Sequence, residues 1–143
     1  MYIVSACLCG VNCKYSGGNN LDEKALKLFK EGKAIPVCPE QLGGLETPRL
    51  PAEITLGTAK DIISGKGKVM DKSGRDVTEK FLKGAYETLK IAKEVGAKKA
   101  ILKANSPSCG CGRIYNGEFN GTLIEGNGIT AELLKQNGIE VET

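Results

Sequence analysis

The chain has 143 residues, of which 41% are hydrophobic and 26% charged, a globular composition that excludes a disordered polypeptide. Its net charge of +3 is too small to argue for a nucleic-acid surface. With no histidine at all, imidazole triads, imidazole general bases and His-bearing zinc sites are excluded. The length suits one domain, residues 1–143, with a core large enough to fold without disulfide staples. The start MYIVSACLCG has no basic flank and only a short apolar stretch, and no run approaches a membrane span. The expectation is a cytoplasmic protein with no membrane segment.

In chain order, Tyr2 to Cys7 reads as a short buried strand with Cys7 at its carboxyl end. Asp22 can cap a helix carrying Ala25, Leu26, Leu28 and Phe29, with Gly32 as its stop. Ala34 to Cys38 is a second strand, where Pro36 suggests an edge or a strand start. The segment PEQLGGLETPRLPAEI reads as a long shaped loop, and residues 66–77 as a hairpin or lid turning near Ser73-Gly74. From Thr78 to Val95 the apolar positions Phe81, Leu82, Ala85, Leu89, Ala92 and Val95 recur at helical spacing, and Gly96 closes the run. Ala100 to Lys103 is a third strand that opens into NSPSCGCG. Beyond it the expectations are a hairpin near Asn116-Gly117, a helix from about Thr130 to Gln136 and a last strand from Ile139 to Val141. The βαβ pattern predicts an α/β fold with a mainly parallel sheet. In such sheets, residues at strand carboxyl ends share the rim where ligands bind.

Six cysteines carry the distinctive chemistry: Cys7, Cys9, Cys13, Cys38, Cys109 and Cys111. Without a secretion signal they are expected to be reduced thiols. Three follow strand ends, so Cys7, Cys38 and Cys109 can converge. Zinc would need four thiolates here and usually shows close C-x-x-C pairs, which are absent. Soft thiolates without imidazole also suit an iron–sulfur cluster, and three of them would leave one iron open. The alternative is a cluster- or zinc-binding redox, sulfur-sensing or interaction domain without catalysis, closed by Cys9, Cys13 or Cys111. Thiol–disulfide exchange would rely on the CxC pairs. Glu40, two residues from Cys38, is the best local acid–base group. Ser106 and Ser108 offer hydroxyls beside Cys109, although either could serve only as a turn former. Lys14, Tyr15, Arg49 and Arg113 are weaker candidates for binding an anion or a ring. GNGITAELL begins like a phosphate loop but reads better as a turn and cap.

SACLCGVNCKYSGG at 5–18, CPEQLGGLETPRLPAEI at 38–54, GRDVTEKFLKGA at 74–85 and NSPSCG at 105–110 together resemble the TudS-like thiouracil desulfidase family. These are small iron–sulfur proteins formerly classed as a domain of unknown function. The resemblance runs from Ile3 to Val141. It implies a compact Rossmann-like three-layer domain and a [4Fe-4S] cluster held by Cys7, Cys38 and Cys109, with one iron not bound to protein. It further implies catalytic roles for Glu40 and Ser106, and a thiolated pyrimidine such as 2-thiouracil as substrate. Larger relatives suggest tRNA as a less favoured partner. The chain departs from the family pattern at Cys9, where Leu is usual, at Lys14-Tyr15-Ser16-Gly17, at Asn116 and at Cys111.

Overall fold

The computed structural model describes residues 1–143. The strands are β1 (Tyr2–Ser5), β2 (Ala34–Val37), β3 (Ala52–Leu56), β4 (Lys68–Asp71), β5 (Lys99–Ile101), β6 (Arg113–Tyr115), β7 (Leu123–Glu125) and β8 (Glu140–Glu142). The helices are α1 (Glu23–Lys30), α2 (Pro39–Leu42), α3 (Ala59–Ile63), α4 (Thr78–Glu94) and α5 (Ile129–Gln136). Ile3 and Val4 are fully buried on opposite faces of β1, as the two-residue period of a strand requires. β1 therefore lies inside a four-stranded sheet of order β2-β1-β5-β8, in which every pairing is parallel. Parallel strands need helical crossovers, and these cover both faces to give a three-layer α/β fold.

The two covers differ in size. On one face α4, α5 and α3 enclose a cluster of 21 buried residues, led by Phe81, Ala85, Leu89 and Ala92 from the apolar stripe of α4. On the other, α1 packs through Ala25 onto a cluster of nine buried residues that includes Cys7, Cys9 and Cys13. Asp22 starts α1 by accepting the Ala25 amide at 3.0 Å. No helix is long and apolar enough to cross a membrane.

Several boundaries differ from those read in the sequence. β1 stops at Ser5, because Ala6–Cys9 coils into a 3-10 turn that Gly10 ends at φ 88°. Cys7 therefore sits just past the strand instead of on it. Cys38 likewise follows β2 and stands at the cap of α2. The supposed long loop after it contains α2 and β3. The helix α3, absent from the sequence expectations, starts at a reciprocal capping box of Thr58 and Asp61. The segment 66–77 is a packed ribbon: β4 pairs antiparallel with β3, Val69 is fully buried, and the chain reverses at Gly74. The hairpin near Asn116-Gly117 forms as β6 and β7. Its loop is tied to β3 by Glu53, whose Oε1 accepts the Gly117 and Phe119 amides at 2.8 and 3.2 Å.

Candidate active site

A cavity of ≈ 240 Å³ lies beyond the carboxyl ends of β1, β2 and β5, the rim where open parallel sheets bind ligands. Cys7, Cys38 and Cys109 all line it, together with Glu40, Ser106 and Ser108. Cys13 lines it as well. Cys9 and Cys111 do not: the Cys9 thiol donates to the Ala25 carbonyl at 3.7 Å and that of Cys111 to the Val141 carbonyl at 3.6 Å. The second cysteine of each CxC pair thus lies outside the cavity that the first lines, and all six thiols are free.

Cys13 sets the electrostatics of the thiols. Its hydrogen bond lowers Cys7 to about 6, helped by Asn20 and the Lys103 charge, against the cost of burial. Hydrogen bonding from Cys13 likewise lowers Cys38 to about 7. Cys13 itself is pushed up, because it keeps the proton that both neighbours use. Cys109 is the opposite case: burial pushes it up to about 12, although the Ser5 and Ser108 hydroxyls hydrogen-bond its sulfur. A thiol buried in this way ionises when a metal coordinates it.

Glu40 is held at both oxygens. Arg49 Nε donates to Oε1 at 3.0 Å and Ser108 Oγ donates to Oε2 at 3.0 Å. The Arg49 side chain is only 5% exposed, and it also donates to Thr47 Oγ1 at 2.9 Å and to the Cys13 carbonyl at 2.9 Å. Arg49 lines the cavity as well, and there its guanidinium is engaged in holding Glu40 and the Cys13 carbonyl. Arg113 is exposed on β6 and does not line the cavity. Lys14 and Tyr15 do line it.

Two backbone contacts position these groups. Gly43 in the turn after α2 meets Gly84 of α4 so closely that a Cβ on either would overlap a carbonyl oxygen of the other segment. That contact places the Cys38-Pro39-Glu40 segment. The Cys109 loop is fixed from its other side by α5, which has no side-chain cap. Its first amides instead bond loop carbonyls: Gly128 to Gly110 at 2.7 Å, Ile129 to Pro107 at 2.8 Å and Thr130 to Ser108 at 2.8 Å. The GNG segment is thus a turn that docks a helix.

Ser106 is the turn former of the loop, since its Oγ accepts the Cys109 amide at 2.8 Å. Ser108, only 2% exposed, is the hydroxyl that reaches Glu40. Sequence reasoning put more weight on Ser106 and gave Cys13 no definite role. The spacing Cys7 to Cys13 across one tight turn was the available signal for Cys13. Nothing in the pattern S-P-S-C distinguishes which hydroxyl turns inward.

No group of three or more Cys, Asp or Glu side chains stands close enough to hold a single metal ion. Thiols arranged around a cavity, with no imidazole, fit a soft polynuclear group better than one zinc ion. Polar groups stand beside the sulfurs, as such a group favours: Ser5 and Asn20 line the same cavity, and the Ser108 hydroxyl donates to Cys109 Sγ at 3.6 Å.

Comparison with known proteins agrees with this geometry. The family model described as 2-thiouracil desulfurase matches residues 2–143. An uncharacterised protein, YbbK of Bacillus subtilis (strain 168), is 53% identical over 141 residues, covering 99% of this chain and 93% of its own. A solved structure described as the [4Fe-4S]-dependent thiouracil desulfidase TudS is 43% identical, with a TM-score of 0.87. The match covers 99% of this chain and 88% of that one.

Proposed function

Because the chain belongs to the 2-thiouracil desulfurase family, we propose that it removes sulfur hydrolytically from a thiolated pyrimidine such as 2-thiouracil, giving uracil and hydrogen sulfide. It does so as one domain over residues 1–143, with Cys7, Cys38 and Cys109 holding a [4Fe-4S] cluster. The observation that carries this reading is that these three thiols, Glu40 and Ser106 all line one cavity of ≈ 240 Å³.

When bound, the cluster supplies an iron without a protein ligand, a soft Lewis acid suited to a thiocarbonyl sulfur. The protein supplies the rest. Glu40 accepts a proton from the attacking water and later returns one toward the departing sulfide. Arg49 holds Glu40 Oε1, so the carboxylate keeps its orientation while its other oxygen changes protonation. Ser106 holds the pyrimidine ring beside Cys109 or relays that proton. The atoms balance without an electron donor: water gives its oxygen to the ring carbon and both hydrogens to sulfur. A free base suits the cavity and the net charge of +3 better than a thiolated tRNA. Free thiols suit a reducing cytoplasm.

Anaerobic reconstitution followed by incubation with 2-thiouracil and 4-thiouracil tests this, read by loss of the thione absorbance and by released sulfide. No sulfide from either base, with iron and labile sulfide fully loaded, would reject the substrate. One observation favours a second reading, in which the site is a closed, non-catalytic cluster: Cys13 shares the cavity with the three proposed ligands. Under the open-site reading Cys13→Ser keeps its iron, whereas loss of iron would favour the closed site.

A further inference from the structure

Ser106 makes no hydrogen bond to Glu40, yet both would handle protons in the reaction proposed above. Between them stands Ser108. Its Oγ is 3.0 Å from Glu40 Oε2 and 3.3 Å from Ser106 Oγ. We propose that Ser108 is a proton-relay residue, the link through which Ser106 and Glu40 exchange a proton.

Each hydroxyl carries one proton, and that count gives the chain a direction. Ser108 has two acceptors within reach, the Glu40 carboxylate at 3.0 Å and Cys109 Sγ at 3.6 Å. The charged oxygen is the nearer and the stronger. With its proton committed to Glu40, Ser108 can only accept from Ser106. Ser106 Oγ already accepts the Cys109 amide at 2.8 Å, so its own proton is free to donate. The row Ser106, Ser108, Glu40 therefore points toward Oε2. Oε1 is already taken by Arg49 at 3.0 Å. Ser108 is 2% exposed, so bulk water does not compete for its hydrogen bonds. Its backbone cannot drift, because the Ser108 carbonyl accepts the Thr130 amide at 2.8 Å.

In the forward step an O–H bond of the attacking water breaks as its proton moves to Ser106 Oγ. The Ser106 proton moves to Ser108 Oγ, and the Ser108 proton forms a new O–H bond at Glu40 Oε2. The carboxylate becomes neutral and a hydroxide equivalent adds to the ring carbon. When the carbon–sulfur bond breaks, the same row runs backwards and delivers the proton to the sulfide. Both hydroxyls end as they began, and no oxidant or reductant is consumed.

The inference rests on the proposed desulfidase activity, and a double-mutant cycle on reconstituted protein separates the two. Ser108→Ala should lower kcat about tenfold or more, with KM within about twofold of wild type. Its iron and labile-sulfide content and its melting temperature should match wild type. On a Glu40→Gln background the same change should cost nothing further, because the row then ends on a group that takes no proton. A loss that simply adds to that of Glu40→Gln, an unchanged kcat, or a fall in iron content would each overturn the relay. As a check that needs no variant, a proton inventory on wild-type single turnovers should curve, since several protons move together. A linear or flat plot would also overturn the relay. Wild-type protein that is fully loaded but inactive on both thiolated bases would bring down the function itself, and the relay with it.

Discussion

The two faces of the central sheet divide the work of the molecule unequally. The face under α4 and α5 has a cluster of 21 buried residues that is almost all aliphatic or aromatic, with Cys109 its one sulfur. The face under α1 has nine buried residues, and three of them are cysteines. Apolar burial stabilises the first face at roughly 25 cal/mol per Å². The second has fewer apolar side chains and gathers thiols, two of which, Cys7 and Cys13, line the cavity. Thickness on one side allows the other to be thin, and the thin side is where the thiols Cys7 and Cys13 are placed.

Substitutions on the two faces should fail differently, and that difference is the test of the comparison. On the thin face, Cys7→Ala or Cys38→Ala should abolish both cluster and activity while the chain stays folded, read by iron and sulfide assays beside circular dichroism. Retained iron in either variant would remove that residue from the ligand set. Next in size, Glu40→Gln should keep the cluster and lose at least about two orders of magnitude in kcat. On the thick face, Phe81→Ala should cost about 3–5 kcal/mol of stability by denaturant unfolding, while the fraction still folded binds iron in the wild-type ratio. If that fraction lost its iron, the two faces would not be separable.

Gly84→Ala probes the connection between the faces, since α4 belongs to the thick face and its contact positions the Glu40 segment. Overpacking there should cost about 1–3 kcal/mol and lower kcat as well. Normal kcat would mean that α2 can shift without consequence. The smallest effect is an acid one at the start of α4. The Thr78 hydroxyl and amide, with Lys68, hold Asp76 at about 2 against an ordinary 3.8. A depressed carboxylate stabilises the fold above its unfolded value and loses that contribution as pH falls. Wild type should therefore lose its advantage over Asp76→Asn between pH 3.8 and about 2, in thermal melts. A difference that persists below that range would assign the effect to something other than ionisation.

Much of this was legible in the sequence where the signal was periodic or local. The α4 stripe from Phe81 to Ala92, the capped α1, and the strand-then-cysteine pattern at Cys7, Cys38 and Cys109 each rest on residues close in the chain. What stayed hidden depends on contacts between distant segments. Arg49 reads only as a weak candidate for an anion or a ring until the fold brings it to Glu40 and the Cys13 carbonyl. Ser108 and Ser106 differ only in which one the α5 docking turns inward, and α5 begins 21 residues after Ser108 by the numbering. The short helices α2 and α3 were lost among glycines and prolines, although the Thr58–Asp61 pair was a readable start signal.

The docking of α5 against the Cys109 loop also orders events in time. Cys7 belongs to the first βαβ unit and can take its place once β1, α1 and β2 have formed, whereas Cys38 waits for α4, whose Gly84 backs the Cys38-Pro39-Glu40 segment. Cys109 waits longer, because the carbonyls of Pro107, Ser108 and Gly110 stay unanchored until Gly128, Ile129 and Thr130 arrive to bond them. The three thiols are therefore placed in chain order. The site closes only as α5 docks, so full loading of the proposed cluster should follow translation instead of accompanying it.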